Sequence, residues 1–436
     1  MRILYVDNYR GFSNTYIPIH DVNFLVGENS TGKTSILSLI RLLASPFFWF
    51  DQDFNPEDIQ LGSFKDIVSA EAKDKSYFRI GLISIDETNK KNKIENPYVF
   101  LMKFISHDGL PAINQYSYID DQNAVTIKIK ETKVSYAKKT IPLNKDITKE
   151  VLKTFKKWVI EDYSGLDFKD LTNQLSLSSK RSFVQKPAFL RSAVASQSKS
   201  SNKGISVQVP DFAQNLAWIA PIRSKPKRTY DQYKFDFSPE GEHAPYLIRK
   251  FFNDRKQKSK FKVFLTKFGN NSGMFNRLSI KSFGKTSESP FQLDVSLHNA
   301  PINIEYVGYG VSQSLPIIVE LFARSKNSWY MIQQPEVHLH PRAQASLGNI
   351  FFHAAHIENK KFLIETHSDF TIDRYRVSVR KTKKVKHKSQ ILFFERDITG
   401  NKVLSIELDK NGNYPEIQPD SFRAFFIREE MNILSL

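Results

Sequence analysis

The stretch VNFLVGENSTGKTSILSLIRLLA, residues 22–44, decides how this chain folds. It starts as an apolar strand and continues with apolar residues spaced as on a largely buried helix, which Pro46 ends. Between strand and helix lies GENSTGKT, residues 27–34, which fits the pattern G-x-x-x-x-G-K-[ST] without a mismatch. A chance glycine turn is the alternative. The flanking strand and helix instead favour a loop whose backbone N–H groups surround phosphate groups.

The residue types in this loop suit the phosphates of a nucleotide. The glycines let N–H groups turn inward, Lys33 can reach the β- and γ-phosphates, and the hydroxyl of Thr34 can bind Mg²⁺. The N-terminus of the helix that follows adds partial positive charge. The residues of this loop expected to contact the nucleotide are Gly27, Glu28, Asn29, Ser30, Thr31, Gly32, Lys33 and Thr34.

Composition restricts the class of protein. Of the 436 residues, 40% are hydrophobic and 25% are charged, which is ordinary for a soluble globular protein. Because cysteine is absent, disulfides, thiolate metal sites and cysteine nucleophiles are excluded. No apolar stretch is long enough to cross a bilayer, so we expect a cytoplasmic protein with no membrane partner.

The net charge of +17, from 63 Lys and Arg against 46 Asp and Glu, suggests a polyanionic partner. Residues 171–210 contain six Lys or Arg and no acid, and Arg374–Lys388 contains eight Lys or Arg in fifteen positions. A basic surface typical of a Lys-rich genome is the alternative. The clustering favours binding of DNA or another nucleic acid through its phosphates.

Three further motifs follow in the C-terminal half of the chain. Each is weak evidence by itself, and the HLH of the second also matches a short metal-ligand spacing. They are VGYGVSQSLPIIVEL (307–321), a glycine-serine turn opening an apolar helix; WYMIQQPEVHLHP (329–341), a buried strand running into a loop; and FLIETHSDF (362–370), a strand ending before a histidine.

In this order, the phosphate loop and the three motifs resemble the ABC-type ATPases of the OLD-like and SMC-like branch. Within that branch the chain is most similar to the PtuA-like ATPases of Septu and retron antiphage systems. APIRSKPKRTY (220–230), GEHAPYL (241–247) and SFRAFFIREEMNIL (421–434) add to this similarity, which covers nearly the whole chain. The resemblance implies an α/β fold: an ABC-type P-loop ATPase head, with a mixed β-sheet flanked by helices, an antiparallel β subdomain and a helical insertion.

The resemblance also implies cofactors and partners. The cofactors are ATP and Mg²⁺. One partner is a second copy of the chain, in a head-to-head dimer with two ATP molecules between the protomers, or in a higher homo-oligomer. The other is an HNH-type nuclease similar to PtuB. About 68 residues follow THS, which leaves no room for a nuclease domain, so we expect the chain not to be a nuclease itself.

Residue roles carry over from the resemblance motif by motif. Gly27–Ser35 is Walker A, which adds Ser35 to the residues expected to contact the nucleotide. Residues 308–313 are the signature loop, which contacts the γ-phosphate held by the other subunit. His367 is the switch histidine, which contacts the γ-phosphate of its own subunit. Gln60, in DIQLGSF, is assigned to the Q-loop and to the metal. The nucleotide-contacting residues of the signature loop are Gly310, Ser312 and Gln313.

Gln333 and Gln334 depart from the wider ABC pattern. They take the places of the Walker B acid, which serves the metal, and of the catalytic glutamate. A glutamine oxygen can accept hydrogen bonds from Mg²⁺-bound water, and an amide can position the attacking water, but neither can take its proton. Loss of base catalysis lowers rates by roughly 10²–10⁴-fold. We therefore expect tight ATP binding and slow hydrolysis, with Glu336 or Glu365 restoring negative charge.

The sequence predicts three parts. Residues 1–145 form an N-terminal ATPase lobe with the antiparallel β subdomain, 146–274 a mainly helical insertion with a basic, Ser-rich loop, and 275–436 a C-terminal ATPase lobe with the remaining motifs.

Three alternative functions are less favoured, because the sequence lacks the features that each of them needs. A self-contained OLD-like nuclease needs a C-terminal carboxylate cluster, an SMC-like DNA clamp needs sustained heptads, and a transporter subunit needs a docking site for a membrane partner.

Overall fold

The computed structural model describes residues 1–85, 97–120, 122–130, 133–142, 146–161, 163–171, 186–197, 210, 215–231, 234–286, 288–297 and 300–425. The chain divides into two compact units. The first comprises Met1–Ile19, Glu28–Gln214 and Phe394–Val403, and the second comprises His20–Gly27, Asn215–Phe393 and Leu404–Leu436. The three-part division expected from the sequence stays a prediction.

The first unit contains a sheet of eight antiparallel strands. The strands are β1 (Arg2–Asp7), β2 (Thr15–Pro18), β4 (Tyr77–Ser84), β5 (Tyr98–His107), β6 (Leu110–Asp120), β7 (Asn123–Lys130), β8 (Lys133–Thr140) and β9 (Lys169–Asp170). Their order is β2-β1-β4-β5-β6-β7-β8-β9. The helices are α1 (Lys33–Ala44), α2 (Pro46–Asp51), α3 (Phe64–Ile67), α4 (Ile147–Ile160) and α5 (Pro187–Ala195).

Helix α4 packs on this sheet. Asp146 begins the helix by accepting a hydrogen bond from the N–H of Lys149. The side chains of Phe155 and Trp158 are buried in the core of the sheet. Gly81 of β4 permits the close approach, because a Cβ atom there would lie 2.7 Å from the ring of Phe155.

The second unit contains a three-stranded sheet and a six-stranded sheet, apart from residues 394–403 of the latter, which belong to the first unit. The strands are β3 (Val22–Gly27), β10 (Leu216–Ile219), β11 (Arg277–Ser282), β12 (Phe291–Ser296), β13 (Pro301–Asn303), β14 (Trp329–Gln333), β15 (Lys361–Glu365), β16 (Ser389–Asp397) and β17 (Gly400–Glu407). The sheets have the orders β10-β14-β15-β3-β16-β17 and β11-β12-β13. The helices are α6 (Ala244–Asn253), α7 (Lys258–Ser272), α8 (Tyr309–Ala323), α9 (Pro341–Glu358) and α10 (Asp369–Arg380), with a 3₁₀ turn at Ile304–Tyr306.

Four neighbouring strands of the six-stranded sheet, β10, β14, β15 and β3, run parallel. Apart from the half-buried Leu216 and Trp218 of β10, their apolar side chains are buried, as expected for parallel strands covered by helices. Helix α8 packs here through a hydrogen bond from the hydroxyl of Tyr330 to the carbonyl of Glu320, 3.0 Å. Helix α9 packs through Phe351, whose ring centre lies 5.4 Å from that of Phe362. The α/β fold class predicted from the sequence is confirmed.

The C-terminal aromatic residues contribute to the core of the second unit. Phe422 is buried, and its ring centre lies 5.4 Å from those of Phe393 and Tyr414. Phe425 lies 5.5 Å from Phe393. Residues 426–436, the rest of this motif, lie outside the described residues.

Candidate nucleotide-binding site

The phosphate loop has the backbone that its glycines predict. It begins at Gly27, the last residue of β3, and ends where α1 begins, at Lys33. Ser30 and Gly32 have left-handed φ angles of 62° and 93°. Gly32 is also held against Phe12, since a Cβ atom would lie 2.5 Å from that ring. No other residue type fits there, and such alternating backbone turns N–H groups inward.

Hydrogen bonds hold the residues of the loop in place. Lys33 is buried, and its Nζ donates a hydrogen bond to the carbonyl of Glu28 at 2.6 Å. The hydroxyl of Thr31 donates to the same carbonyl at 2.8 Å. The carbonyl of Ser35 accepts a hydrogen bond from the hydroxyl of Tyr9 at 3.1 Å. The Lys33 amine is therefore held where the loop turns, as a phosphate-binding lysine requires.

Two of the three residues expected to serve the metal, Thr34 and Gln60, lie in the first unit. Thr34 is exposed in the first turn of α1. Gln60 is exposed in the loop between α2 and α3, where its amide donates to the carbonyl of Pro56 at 3.5 Å. This contact neither supports nor excludes a Q-loop role, which stays a prediction.

In the second unit, three strands end side by side at one edge of the parallel sheet. Gln333, the last residue of β14, is paired with Glu365, the last residue of β15. Glu365 is paired in turn with Leu25 of β3, two residues before the phosphate loop begins. Carboxyl ends of parallel strands are where α/β sheets bind ligands.

The side chain of Gln333 is buried and hydrogen-bonded at both ends of its amide. Its Oε1 accepts a hydrogen bond from the indole N–H of Trp218 at 2.8 Å. Its Nε2 donates to Oε2 of Glu365, also at 2.8 Å. Both contacts fix the orientation of the amide. Trp218 was not singled out by the sequence, because its partner lies 115 residues away.

Gln334 has an unusual backbone conformation. Its φ angle of 44° is left-handed, which a residue other than glycine adopts only when its surroundings hold it there. Its N–H donates to the carbonyl of Glu365 at 2.8 Å, and its carbonyl accepts from Arg223 at 3.0 Å. The half-buried side chain forms no hydrogen bond with any described residue, so its amide is available to hold water.

Arg223 is a buried residue of this site that had no predicted role. Its Nη2 donates to the carbonyls of Gln333 and Gln334, at 2.9 and 3.0 Å. Its Nε and Nη1 are buried without a hydrogen-bond partner among the described residues. Burial lowers the pKa of Arg223 to about 10, an effect that the charge of Glu336 partly offsets. The sequence feature that could have identified Arg223 is the motif APIRSKPKRTY, which is part of the resemblance but had no assigned function.

Glu336 holds the loop that carries the switch histidine. Its Oε2 accepts a hydrogen bond from the hydroxyl of Thr366 at 2.8 Å, and its Oε1 accepts from the N–H of His367 at 2.7 Å. The His367 side chain is exposed. Ser368 follows and begins α10 by accepting from the N–H of Thr371. The structure thus brings His367 and the Gln333–Gln334 segment into one hydrogen-bonded network.

The signature loop lies at the N-terminus of α8. Gly308 and Tyr309 are exposed, whereas Ser312 and Gln313 are buried. The hydroxyl of Ser312 donates to the carbonyl of Tyr309 at 2.9 Å, and the amide of Gln313 donates to the carbonyl of Arg223 at 3.3 Å. Arg223 therefore connects the signature helix to the end of β14.

The start of α8 also contacts the loop that follows β14. A Cβ atom on Gly310 would lie 2.8 Å from the carbonyl of His338, so only glycine fits without a shift. The rings of Tyr309 and His338 are 5.7 Å apart. Within the described residues, no group of three or more His, Asp or Glu side chains is placed to hold a metal ion, and this includes the HLH motif.

The basic segment Arg374–Lys388 covers most of α10 and the residues after it. Arg376 is held by Asp373 at 2.9 Å and stacks on Tyr414 at 3.8 Å. Arg380 donates to Asn413 at 3.4 Å. The other six cations are exposed and form no ion pair with any described residue: Arg374, Lys381, Lys383, Lys384, Lys386 and Lys388. Most of the other basic stretch, 171–210, lies outside the described residues.

A comparison with protein families identifies the class of ATPase. The AAA_15 family, described as an AAA ATPase domain, matches residues 1–372. The chain belongs to this family. Membership of this ATPase family implies nucleotide binding, typically with a divalent metal. The P-loop ATPase predicted from the sequence is thereby confirmed, while the roles of the individual site residues stay predictions. No curated protein matches the chain.

Several solved structures are similar to this AAA_15 ATPase. One is an Smc head bound to the C-terminal winged-helix domain of ScpA, with 12% identity over 94% of this chain and 98% of that chain, and a TM-score of 0.46. The Smc head with an extended coiled coil from Pyrococcus furiosus has 11% identity over 99% and 100%, at 0.44. The SMC head domain from Thermotoga maritima has 9% identity over 93% and 100%, at 0.40.

The described helices of this AAA_15 ATPase contain no candidate for a membrane span. None combines the length and apolar character that crossing a bilayer requires.

Proposed function

We propose that this protein is an ATP-dependent switch that binds ATP–Mg²⁺ through residues 27–35 and hydrolyses it slowly. We infer slow hydrolysis from the pair of amides at the end of β14. Gln333 is already hydrogen-bonded at both ends, to Trp218 and Glu365. Gln334 can hold a water molecule but cannot take its proton.

The donor set fits a magnesium ion. Mg²⁺ prefers oxygen ligands, keeps several of its waters, and is usually held by one or two protein oxygens together with substrate phosphates. In the first unit the hydroxyl of Thr34 is such an oxygen, and in the second unit the Gln333 amide and the Glu365 carboxylate contain such oxygens. The cation would supply charge neutralisation at the phosphates.

Calorimetry tests the nucleotide site. We expect Lys33→Ala to weaken ATP binding by at least about tenfold, since the variant lacks a charge-assisted hydrogen bond to phosphate. Lys65→Ala, which removes an exposed lysine from the same unit, is the matched control and leaves affinity unchanged. Equal ATP affinity in the two variants would contradict the assignment.

We further propose that ATP drives self-association through the signature loop. Tyr306 is 66% exposed and Tyr309 is 48% exposed beside the start of α8, where apolar area is available for a second copy. Light scattering with and without ATP tests this. Tyr306→Ala/Tyr309→Ala should abolish an ATP-dependent rise in mass that Phe283→Ala, a similarly exposed aromatic elsewhere, retains. No rise in the wild type would exclude the proposal.

The basic segment Arg374–Lys388 supports a role in nucleic-acid binding. Neutralising Lys381, Lys383, Lys384 and Lys386 to Gln should reduce the salt slope of DNA affinity by roughly 0.9 for each phosphate that is no longer neutralised, or about three to four units. The matched control neutralises four exposed cations at the start of α7, Arg255, Lys256, Lys258 and Lys260. An unchanged slope in the first variant would make this segment an ordinary solvated surface.

The PtuA-like resemblance extends the proposal to an antiphage complex in which this ATPase controls an HNH-type nuclease. The chain would be co-expressed with the product of the adjacent gene, and DNA cleavage measured with and without ATP. We expect the chain alone to cut nothing, and the cleavage by the partner to change with ATP. DNA cleavage by the purified chain, or a partner indifferent to it, would overturn this proposal.

A further inference from the structure

The edge of the parallel sheet contains two carboxylates close to the glutamine pair, Glu336 and Glu365. They differ in how their oxygens are used. Both oxygens of Glu336 accept hydrogen bonds from the switch loop, from Thr366 and from His367. Glu336 therefore positions that loop and has a smaller capacity for another partner.

Glu365 is only half engaged. Its Oε2 accepts a hydrogen bond from Gln333 at 2.8 Å, while its Oε1 has no hydrogen-bond partner among the described residues. The residue is only 5% exposed. Placing a carboxylate there costs solvation free energy that one amide hydrogen bond does not return. Such an arrangement is typical of a group that has a further, cationic partner.

The sheet order places this carboxylate on the strand next to the phosphate-loop strand. The order is β14-β15-β3, so β15 lies between the strand of Gln333 and the strand that continues into Gly27. Glu365 is directly paired with Leu25 of β3. A carboxylate on β15 is thus one strand closer to β3 than the conventional Walker B acid on β14.

The same pairing explains the glutamine at position 333. Gln333 and Glu365 face each other in register, and like charges directly opposite on neighbouring strands destabilise a sheet. A carboxylate at both positions would add this repulsion in a buried site. An amide at 333 instead donates to Glu365 and orients it. The negative charge of this pair therefore lies on β15.

We propose that Glu365 carries the carboxylate that serves the divalent cation of the bound nucleotide, with Gln333 as its positioning residue. This inference rests on the proposed ATP-binding function. It accounts for an ATPase that keeps metal-dependent binding while lacking a general base at Gln334. The role belongs to Glu365 itself, and Glu336 does not share it.

The test is calorimetry of ATP binding in Mg²⁺ and in EDTA. We expect Glu365→Gln to reduce the affinity measured in Mg²⁺ on the order of tenfold, with no reduction in EDTA, because the variant lacks a charge-assisted interaction with the cation. Glu336→Gln should keep the full Mg²⁺ enhancement. The exchange variant Gln333→Glu/Glu365→Gln keeps one carboxylate and one amide at these positions but places the charge on β14. It should recover most of the Mg²⁺ enhancement.

An unchanged Mg²⁺ enhancement in Glu365→Gln overturns the proposal. If thermal melting shows that this variant does not fold, the exchange variant decides instead: wild-type enhancement supports the proposal, and absence of enhancement overturns it. Failure of the underlying function gives a different result, namely ATP affinity that Lys33→Ala does not reduce. ATP binding that depends on Lys33 but not on Glu365 rejects only this inference.

Discussion

At the scale of single residues, Gln333 and Gln334 have different environments although they are adjacent and chemically identical. Gln333 is buried and hydrogen-bonded to Trp218 and Glu365. Gln334 has a left-handed backbone, and its side chain forms no hydrogen bond with any described residue. The sequence identified both positions as departures from the ABC pattern. It could not distinguish them, because the difference arises from strand register and from a tryptophan far away in the chain.

The two positions should therefore respond differently to an added acid. We expect Gln334→Glu to raise steady-state phosphate release by roughly 10²-fold, since it supplies a base where the backbone is already placed. Gln333→Glu should give no such gain and should lower the thermal midpoint, because it places a second carboxylate opposite Glu365. A faster Gln333→Glu enzyme with unchanged stability would contradict the assigned roles.

Arg223 offers a second test at this scale. Lysine cannot reproduce the guanidinium contacts to the carbonyls of Gln333 and Gln334, so Arg223→Lys should lower the free energy of unfolding by about 1–3 kcal/mol. Arg228→Lys, in the same motif but exposed, is the control and should change little. Urea denaturation of the two variants compares them. Equal midpoints would mean that the buried contacts contribute nothing.

At the scale of elements, local patterns were predicted well and long-range pairing was not. The phosphate loop and α1 follow from glycine spacing and from the periodicity of apolar residues. Strand β10 has only four residues and lies within the stretch predicted as a helical insertion, yet it joins the six-stranded sheet beside β14. Its position brings Trp218 and Arg223 to the site. No local pattern reveals such a pairing.

The contact made by the start of helix α8, which carries the signature loop, can be tested by substitution. Alanine at Gly310 would place its Cβ 2.8 Å from the carbonyl of His338, whereas alanine at Gly308 meets nothing within 4 Å. We expect Gly310→Ala to shift the start of α8 and to lower the thermal midpoint by a few degrees, on the order of 1 kcal/mol. Gly308→Ala is the matched control. Indistinguishable melting curves would show that the contact between α8 and the loop after β14 is loose.

At the scale of the whole molecule, stability should depend on pH through a buried histidine. His387 lies near the end of the basic segment, where its Nε2 is 2.8 Å from the hydroxyl of Tyr375. Burial lowers the pKa of His387 to about 4; nearby Asp21 opposes this effect and His356 adds to it. Its ordinary value is about 6.5. Because the folded state binds the proton more weakly than the unfolded state, the stabilisation is present above about pH 6.5 and is lost as pH falls towards 4.

We expect this loss of stability to reach on the order of 3 kcal/mol. Urea midpoints at pH 7.5, 6 and 5 should fall in the wild type and fall less in His387→Gln, which keeps an acceptor for Tyr375. An NMR titration of the imidazole measures the pKa directly. A pKa near 6.5, or equal pH dependence in the two proteins, would show that His387 is not the cause.

Retention of bound ATP by the whole molecule measures directly whether ATP is held and hydrolysed slowly. Labelled ATP–Mg²⁺ would be loaded, free nucleotide removed rapidly, and the bound nucleotide identified by chromatography over time. We expect the bound nucleotide to remain mostly ATP, with about one turnover per minute or slower. Lys33→Ala should retain none. Bound nucleotide that is already ADP at the earliest time, or equal retention by Lys33→Ala, would show that this protein is not a slowly hydrolysing ATP switch.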